Sequence, residues 1–212
     1  MSVIRVKNVT KRYRGNIVLN DVSLEIEKAT VVGLIGRNGS GKTVLMKCIC
    51  GLIAPTSGSI YVNEKCVGRD CDIPDNIGLI IETPGFLPNF SAYNNLRQLA
   101  KINNKIGKDE IKLAIEKVGL DPNDKKKVGK FSLGMRQRLG LAQAIMEDPD
   151  ILILDEPMNG LDKEGVIEMR NYLLDLKQQG KTLLITSHNA EDIDVLCDTV
   201  CEMDKGKLEK IR

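Results

Sequence analysis

Gly36-Arg37-Asn38-Gly39-Ser40-Gly41-Lys42-Thr43 follows the apolar run Val31-Val32-Gly33-Leu34-Ile35 and leads into Val44-Leu45-Met46-Lys47. Glycine, four residues, glycine, lysine and threonine, set between a strand and a helix, form the phosphate-binding P-loop pattern. Gly36, Gly39 and Gly41 permit backbone conformations that a side chain would forbid. Successive N–H groups, including those of Arg37, Asn38 and Ser40, can then turn inward around phosphate oxygens. The helix opening near Gly41 adds its positive end. In this pattern Lys42 reaches the β- and γ-phosphates and the Thr43 hydroxyl ligates Mg²⁺. By chance such a match arises on the order of one time in a hundred in a chain this long. The bland alternative is a glycine-rich turn that binds nothing; the flanking strand and helix weigh against it. The loop alone leaves open which nucleotide hydrolase or kinase this is.

Composition narrows the choice. The chain has 212 residues, 28% charged and 42% hydrophobic, as in ordinary globular proteins. A net charge of +2 gives no broad field for nucleic acid. Apolar runs such as Ile77–Ile81 and Ile151–Leu154 are too short to cross a bilayer. Ser2–Lys7 alternates like a strand and lacks a signal-peptide core. We therefore expect a cytosolic protein that reaches a membrane only through another subunit. Six cysteines without a C-x-x-C pair read as reduced, mostly buried side chains rather than as a zinc site.

Residues 1–35 read as strands, over Val3–Val9, Ile17–Ile26 and Thr30–Ile35, with turns near Arg14-Gly15-Asn16 and Glu27-Lys28. A helix from Gly41 to about Cys50 and a short strand, Ser59–Val62, follow, and Ile77–Ile81 is a buried-strand candidate. At Thr83 the pattern turns helical, with Ala92–Ile102 and Lys108–Val118. Asp121–Lys130 reads as a solvated charged loop. Thr83 to about Phe131 is thus a helical insertion; with the helix Gly134–Glu147 it makes a helical subdomain at about 83–147. Strand Ile151–Leu154, helix Lys163–Gln179, strand Thr182–Thr186, helix Asn189–Leu196 and two short strands complete the chain. The fold predicted is α/β: a mostly parallel sheet flanked by helices, an N-terminal antiparallel β subdomain and a helical insertion, in one domain over 1–212.

Ile151-Leu152-Ile153-Leu154 ends in Asp155-Glu156-Pro157. A buried strand delivers Asp155 to the carboxyl edge of the sheet, where ligands of open α/β sheets bind. Asp155 is then placed to hold Mg²⁺ and Glu156 to act as general base on the attacking water. A strand ending in a solvated acidic turn is the alternative, and the P-loop in the same chain weighs against it.

These motifs, in this order, resemble the ATP-binding subunit of an ABC transporter over essentially the whole chain. The resemblance implies Walker A at Gly36–Thr43 and Walker B with its catalytic glutamate at Ile151–Glu156. It also implies a D-loop at Asn159-Gly160-Leu161-Asp162 and a switch histidine at His188, the one histidine present. Phe131-Ser132-Leu133-Gly134-Met135 stands where the signature Leu-Ser-Gly-Gly-Gln belongs. It departs at Phe131, Leu133 and Met135 and keeps Ser132 and Gly134, the phosphate contacts. Glu82 replaces the usual glutamine as a Mg²⁺-linked contact, and Tyr13 matches the aromatic that stacks on adenine. Glu82, the Phe86–Asn94 segment and the altered signature together resemble the subgroup exporting bacitracin and lantibiotic-type peptides.

The implied function is ATP binding and hydrolysis that closes two copies upon each other and drives separate permease subunits from the cytoplasmic face of the membrane. Exposed Phe86 and Leu87 would be the lever onto those subunits. Three rivals stand beside it: a soluble ABC-type ATPase such as a cluster-assembly ATPase, a non-hydrolysing regulatory module, and a small-molecule P-loop kinase. Intact Glu156 and His188 weigh against the second, and the signature-like segment against the third.

Overall fold

The apolar strands decide the layering. A computed structural model describes residues 1–212. Its elements begin with β1 (Ser2–Tyr13), β2 (Asn16–Glu27), β3 (Val31–Ile35), α1 (Lys42–Ile49), β4 (Ser57–Val62), β5 (Lys65–Cys66) and β6 (Ile77–Ile80). Three helices follow, α2 (Ala92–Asn103), α3 (Lys108–Lys117) and α4 (Leu133–Ile145). The chain then runs through β7 (Ile151–Leu154), α5 (Lys163–Gln178), β8 (Thr182–Ile185), α6 (Ala190–Leu196), β9 (Thr199–Asp204) and β10 (Lys207–Lys210). The strands of one sheet lie in the order β10-β9-β3-β8-β7-β6; every pair is parallel except β10 with β9. A second, antiparallel sheet has the order β2-β1-β4-β5.

β7 and β8 are buried at every residue, because both faces of the parallel sheet are covered. Alternate residues of one strand therefore enter different cores. Ile151 and Ile153 pack with α1 and the inner face of the antiparallel sheet, which places Leu45, Met46, Ile4 and Leu24 in the same cluster. Leu152 and Leu154 pack on the other side, among side chains of α2 to α6. Helices sit close to this sheet where glycine allows it: a Cβ at Gly78 of β6 would lie 1.9 Å from the Ala144 carbonyl oxygen of α4.

Most expected elements occur within two or three residues of their expected ends. β1 and β2 run longer at both ends than their apolar cores, since pairing with each other extends them into polar sequence. Two expectations fail. Asp121–Lys130 is not all solvated loop: Val128 is 2% exposed and opens a 3₁₀ turn. Its N–H donates to Phe90 O (2.9 Å), and Gly129 N–H donates to Pro88 O (2.9 Å). Phe86 is half-buried against the larger core, leaving Leu87 and Phe90 as the exposed apolar side chains of that loop. The six cysteines are free thiols, and all but the half-buried Cys71 are buried. Burial pushes the thiols of Cys50 and Cys197 up to about 12, so they remain protonated and inert at neutral pH.

Candidate nucleotide site

The loop between β3 and α1 has a backbone that only glycine fits. Gly36 has φ +138°, and a Cβ there would lie 2.2 Å from the Met203 carbonyl oxygen of β9. Gly41, at φ +116°, is the N-cap of α1. It brings no capping side chain, and the first turn carries no acid, so the positive helix end stays open to an anion. Lys42, only 7% exposed, folds back over the loop; its Nζ donates to Gly36 O (2.7 Å) and Arg37 O (3.2 Å). These contacts aim an ammonium at the loop's own concavity.

Beside the loop lies a cleft of about 260 Å³. Asn38, Gly39, Gly41, Lys42 and Thr43 line one side, Asp155, Glu156 and His188 the other, with Val18 and Val44. The parallel sheet brings these segments together, because β3, β8 and β7 are neighbours whose carboxyl ends share one edge. Thr43 Oγ1 donates to Asp155 Oδ2 (2.8 Å), and Thr186 Oγ1 donates to Asp155 Oδ1 (2.7 Å). The same Thr186 oxygen accepts from the Glu156 N–H (2.8 Å). Glu156 O accepts from Gln137 Nε2 of α4 (3.1 Å). Glu156 itself adopts φ +51°, an unfavourable value for a side-chain-bearing residue, and these bonds hold it there.

The Glu156 side chain is 27% exposed, and its Oε1 lies 3.2 Å from His188 Nε2. Apart from that contact with His188, Oε1 is buried with no hydrogen-bond partner in the chain. Burial raises the Glu156 carboxyl above its ordinary value, against the opposing pull of the His188 imidazole. The result is a carboxylate of increased basicity set against His188, at the edge of a cleft that also holds the Lys42 ammonium.

The other expected site residues lie elsewhere. Tyr13 is exposed at the end of β1 with the Lys11 ammonium 4.9 Å from its ring centroid, outside the cleft lining. Glu82, at φ +60°, is paired with Lys47 of α1 (Nζ to Oε1, 2.6 Å) and also stands outside that lining. Ser40 Oγ is buried beneath the loop without a partner. Ser132 caps α4, its Oγ accepting from the Met135 N–H (3.1 Å). Gly134 packs so close to the Asn159–Asp162 turn that a Cβ would lie 2.8 Å from Gly160 O. Neither reaches the cleft of its own chain. Asp162 caps α5 by accepting from the Gly165 N–H (2.9 Å). Thr186 and Gln137 join the site through tertiary contacts; a hydroxyl directly after the apolar run of β8 is the sequence signal for the first, and nothing local marks the second.

The profile of the ABC transporter family matches residues 19–159. A relative, the uncharacterized ABC transporter ATP-binding protein YybJ of Bacillus subtilis, is 47% identical over 207 residues, 98% of this chain and 95% of its own. The chain belongs to the ABC transporter family. It is an ABC transporter ATP-binding subunit. The bacitracin transport ATP-binding protein BcrA of Enterococcus faecalis is 41% identical over 97% of this chain and 68% of its own length. The dimeric ATP-binding cassette MJ0796, solved in a post-hydrolysis state with ADP and Pi, has a TM-score of 0.88 over 99% of both chains at 23% identity, a likeness of fold. ATP-binding subunits of the ABC family bind nucleotide, generally hydrolyse ATP, and work with permease subunits at the cytoplasmic face of the membrane. No helix of this subunit is long and apolar enough to cross a membrane.

Proposed function

We propose that this subunit hydrolyses ATP, with Glu156 as the base, and that two copies close on the nucleotide to drive a membrane permease. The observation that carries the reading is the buried Oε1 of Glu156 set 3.2 Å from His188 in the same cleft as Lys42. In this reading the loop Gly36-Arg37-Asn38-Gly39-Ser40-Gly41 surrounds the phosphates with N–H groups, and Lys42 turns from its carbonyls to the β- and γ-phosphates. His188 contacts the γ-phosphate. Glu156 takes a proton from the attacking water, and its raised pKa brings its basicity nearer to neutral pH. Tyr13 stacks on adenine. Ser132 and the N–H groups at Gly134 close on ATP held by the other copy, which explains why they stand clear of their own cleft.

Thr43 and Asp155 supply hard oxygen donors 2.8 Å apart, a set that suits Mg²⁺. That ion takes few protein ligands and fills its shell with water and phosphate oxygens. When bound, Mg²⁺ neutralises charge on the β- and γ-phosphates. Glu82 would join that set from its pairing with Lys47. The helices between β6 and β7 form a helical subdomain, at about 83–147, within a single domain over 1–212. The transported compound is an antimicrobial peptide or similar amphipathic molecule moved outward, the support being the relative named for bacitracin transport. Leu87 and Phe90, the exposed apolar residues of the loop after Glu82, are the contact to the permease.

Replacing Glu156 with Gln tests the reading. Turnover should fall by about two to four orders of magnitude, the usual worth of a positioned base. ATP should still bind and hold two copies together, seen as a stable dimer by size-exclusion light scattering. Native turnover in Glu156→Gln would remove the base assignment. Bacitracin-stimulated hydrolysis by the subunit in vesicles with its permease tests the cargo class; no response to bacitracin or to lantibiotics would overturn it.

A further inference from the structure

His188 is the single histidine of the chain, and half of its side chain is exposed toward the cleft. Its neighbours are not free. Thr186, two residues before it, is tied to Asp155 and Glu156. Ser187 is buried; its Oγ donates to Asp192 Oδ2 (2.7 Å) and accepts from the Asn189 N–H (3.0 Å). Asn189 caps α6, its Oδ1 accepting from the Glu191 N–H (2.9 Å). The other oxygen of Asp192 accepts from Arg170 Nε (2.7 Å), and Arg170 Nη2 lies 2.6 Å from that same Oδ1. Asp192 is 2% exposed and Arg170 is buried on α5, so this is an ion pair in the interior. Arg170 Nη2 also reaches Glu191 Oε2 (3.0 Å).

A buried ion pair contributes little net stability against an apolar replacement, because desolvation offsets its attraction. Its value lies in geometry: both Asp192 oxygens and both faces of the Ser187 hydroxyl are used, so the peptide on each side of His188 has one arrangement. We propose that Arg170, Asp192 and Ser187 form a bracket that positions His188 against Glu156 and the γ-phosphate, an inference resting on the catalytic reading of that pair. The three are positioning residues, since none lines the cleft. Arg170 lies on α5, whose cap Asp162 ends the Asn159–Asp162 turn packed on Gly134. The bracket therefore links the histidine rigidly to the same helix that follows that turn.

With one histidine, the imidazole ring resonances of the full chain report His188 without assignment. Two variants carry the test, Arg170→Met and the milder Ser187→Ala, with Arg170→Lys as the conservative rescue and His188→Ala as reference. In both Ser187→Ala and Arg170→Met the ring signals should shift and broaden and should no longer respond to Glu156→Gln. The kcat for ATP hydrolysis should fall about tenfold to a hundredfold, the scale of a misplaced catalytic group, while the KM for ATP stays within about threefold of native. Arg170→Lys should recover part of kcat and the native ring signals. If Arg170→Met does not fold, Ser187→Ala decides alone. Native kcat and unmoved ring signals in Ser187→Ala, with His188→Ala inactive, would overturn the bracket and leave the catalytic reading standing. Native kcat in His188→Ala would overturn the reading itself, and the bracket with it.

Discussion

The nucleotide loop and the signature-like helix end face opposite demands. Around the loop, groups are already joined before any ligand arrives: Lys42 on the loop carbonyls, Thr43 on Asp155, and Thr186 between Asp155 and Glu156. At the head of α4 the contacts are local, the Ser132 cap and the Arg136 guanidinium donating to Phe131 O (3.0 Å), and Leu133 stands 49% exposed. The first region is an almost complete binding site. The second, in the function proposed, is half of one that a second copy completes. In that reading the preorganised half selects the ligand, and the open half makes pairing depend on it.

Glu156→Gln, described above, carries the largest effect. Lys42→Ala comes next: removing a charge-assisted contact worth about 1.5–3 kcal/mol should weaken ATP binding roughly tenfold to a hundredfold by equilibrium titration of the isolated chain. Unchanged affinity would mean that the loop does not hold phosphate as described. Thr186→Val keeps shape and removes the hydroxyl shared by Asp155 and Glu156. Turnover should fall about tenfold, with a smaller change in ATP affinity; equal losses in both would show that the hydroxyl serves binding rather than the placing of the base.

Ser132→Ala sharpens the other half. Loss of the cap should lower stability by about 1 kcal/mol in urea unfolding. ATP binding to the isolated chain should be unaffected, while ATP-driven pairing weakens in light scattering. A loss of ATP affinity in the isolated chain would place Ser132 at its own cleft after all.

The smallest effect is on pH dependence. The folded chain raises the Glu156 carboxyl above 4.5, its ordinary value, so it holds that proton more tightly than the unfolded chain does. The cost of ionising it in the folded state is absent below the unfolded value and grows as pH rises through the folded one. Glu156→Gln should therefore gain stability relative to the native chain only as pH climbs from about 4.5 toward neutrality. A constant difference across that range would show that the carboxyl titrates as if in water. Turnover should decline on the acid side at a higher pH than an exposed glutamate would give.

How much of this was readable in advance depends on chain distance. Gly36–Thr43 and the acids after Ile151–Leu154 carry their meaning within a few residues, and the structure places both at the element ends expected. Phe86 read as exposed because a Pro-Gly loop is normally solvated, but its ring found the larger core. Val128 read as loop because lysines surround it, but one apolar residue was enough to anchor the segment beneath Phe90. Thr186 carries no pattern of its own; only the pairing of β7 with β8 sets its hydroxyl beside Asp155.

The order of strands and helices, the phosphate loop and the two acids were determined by the sequence itself, because strand burial, glycine geometry and helix capping act between near neighbours in the chain. The tertiary structure alone decided that Lys47 holds Glu82, that Thr186 joins the two acids, that Arg170 pairs with Asp192, and that Ser132 and Gly134 stand apart from their own cleft. Those partners are separated by tens of residues, and only sheet order and helix packing bring them within a hydrogen bond of each other or hold them apart.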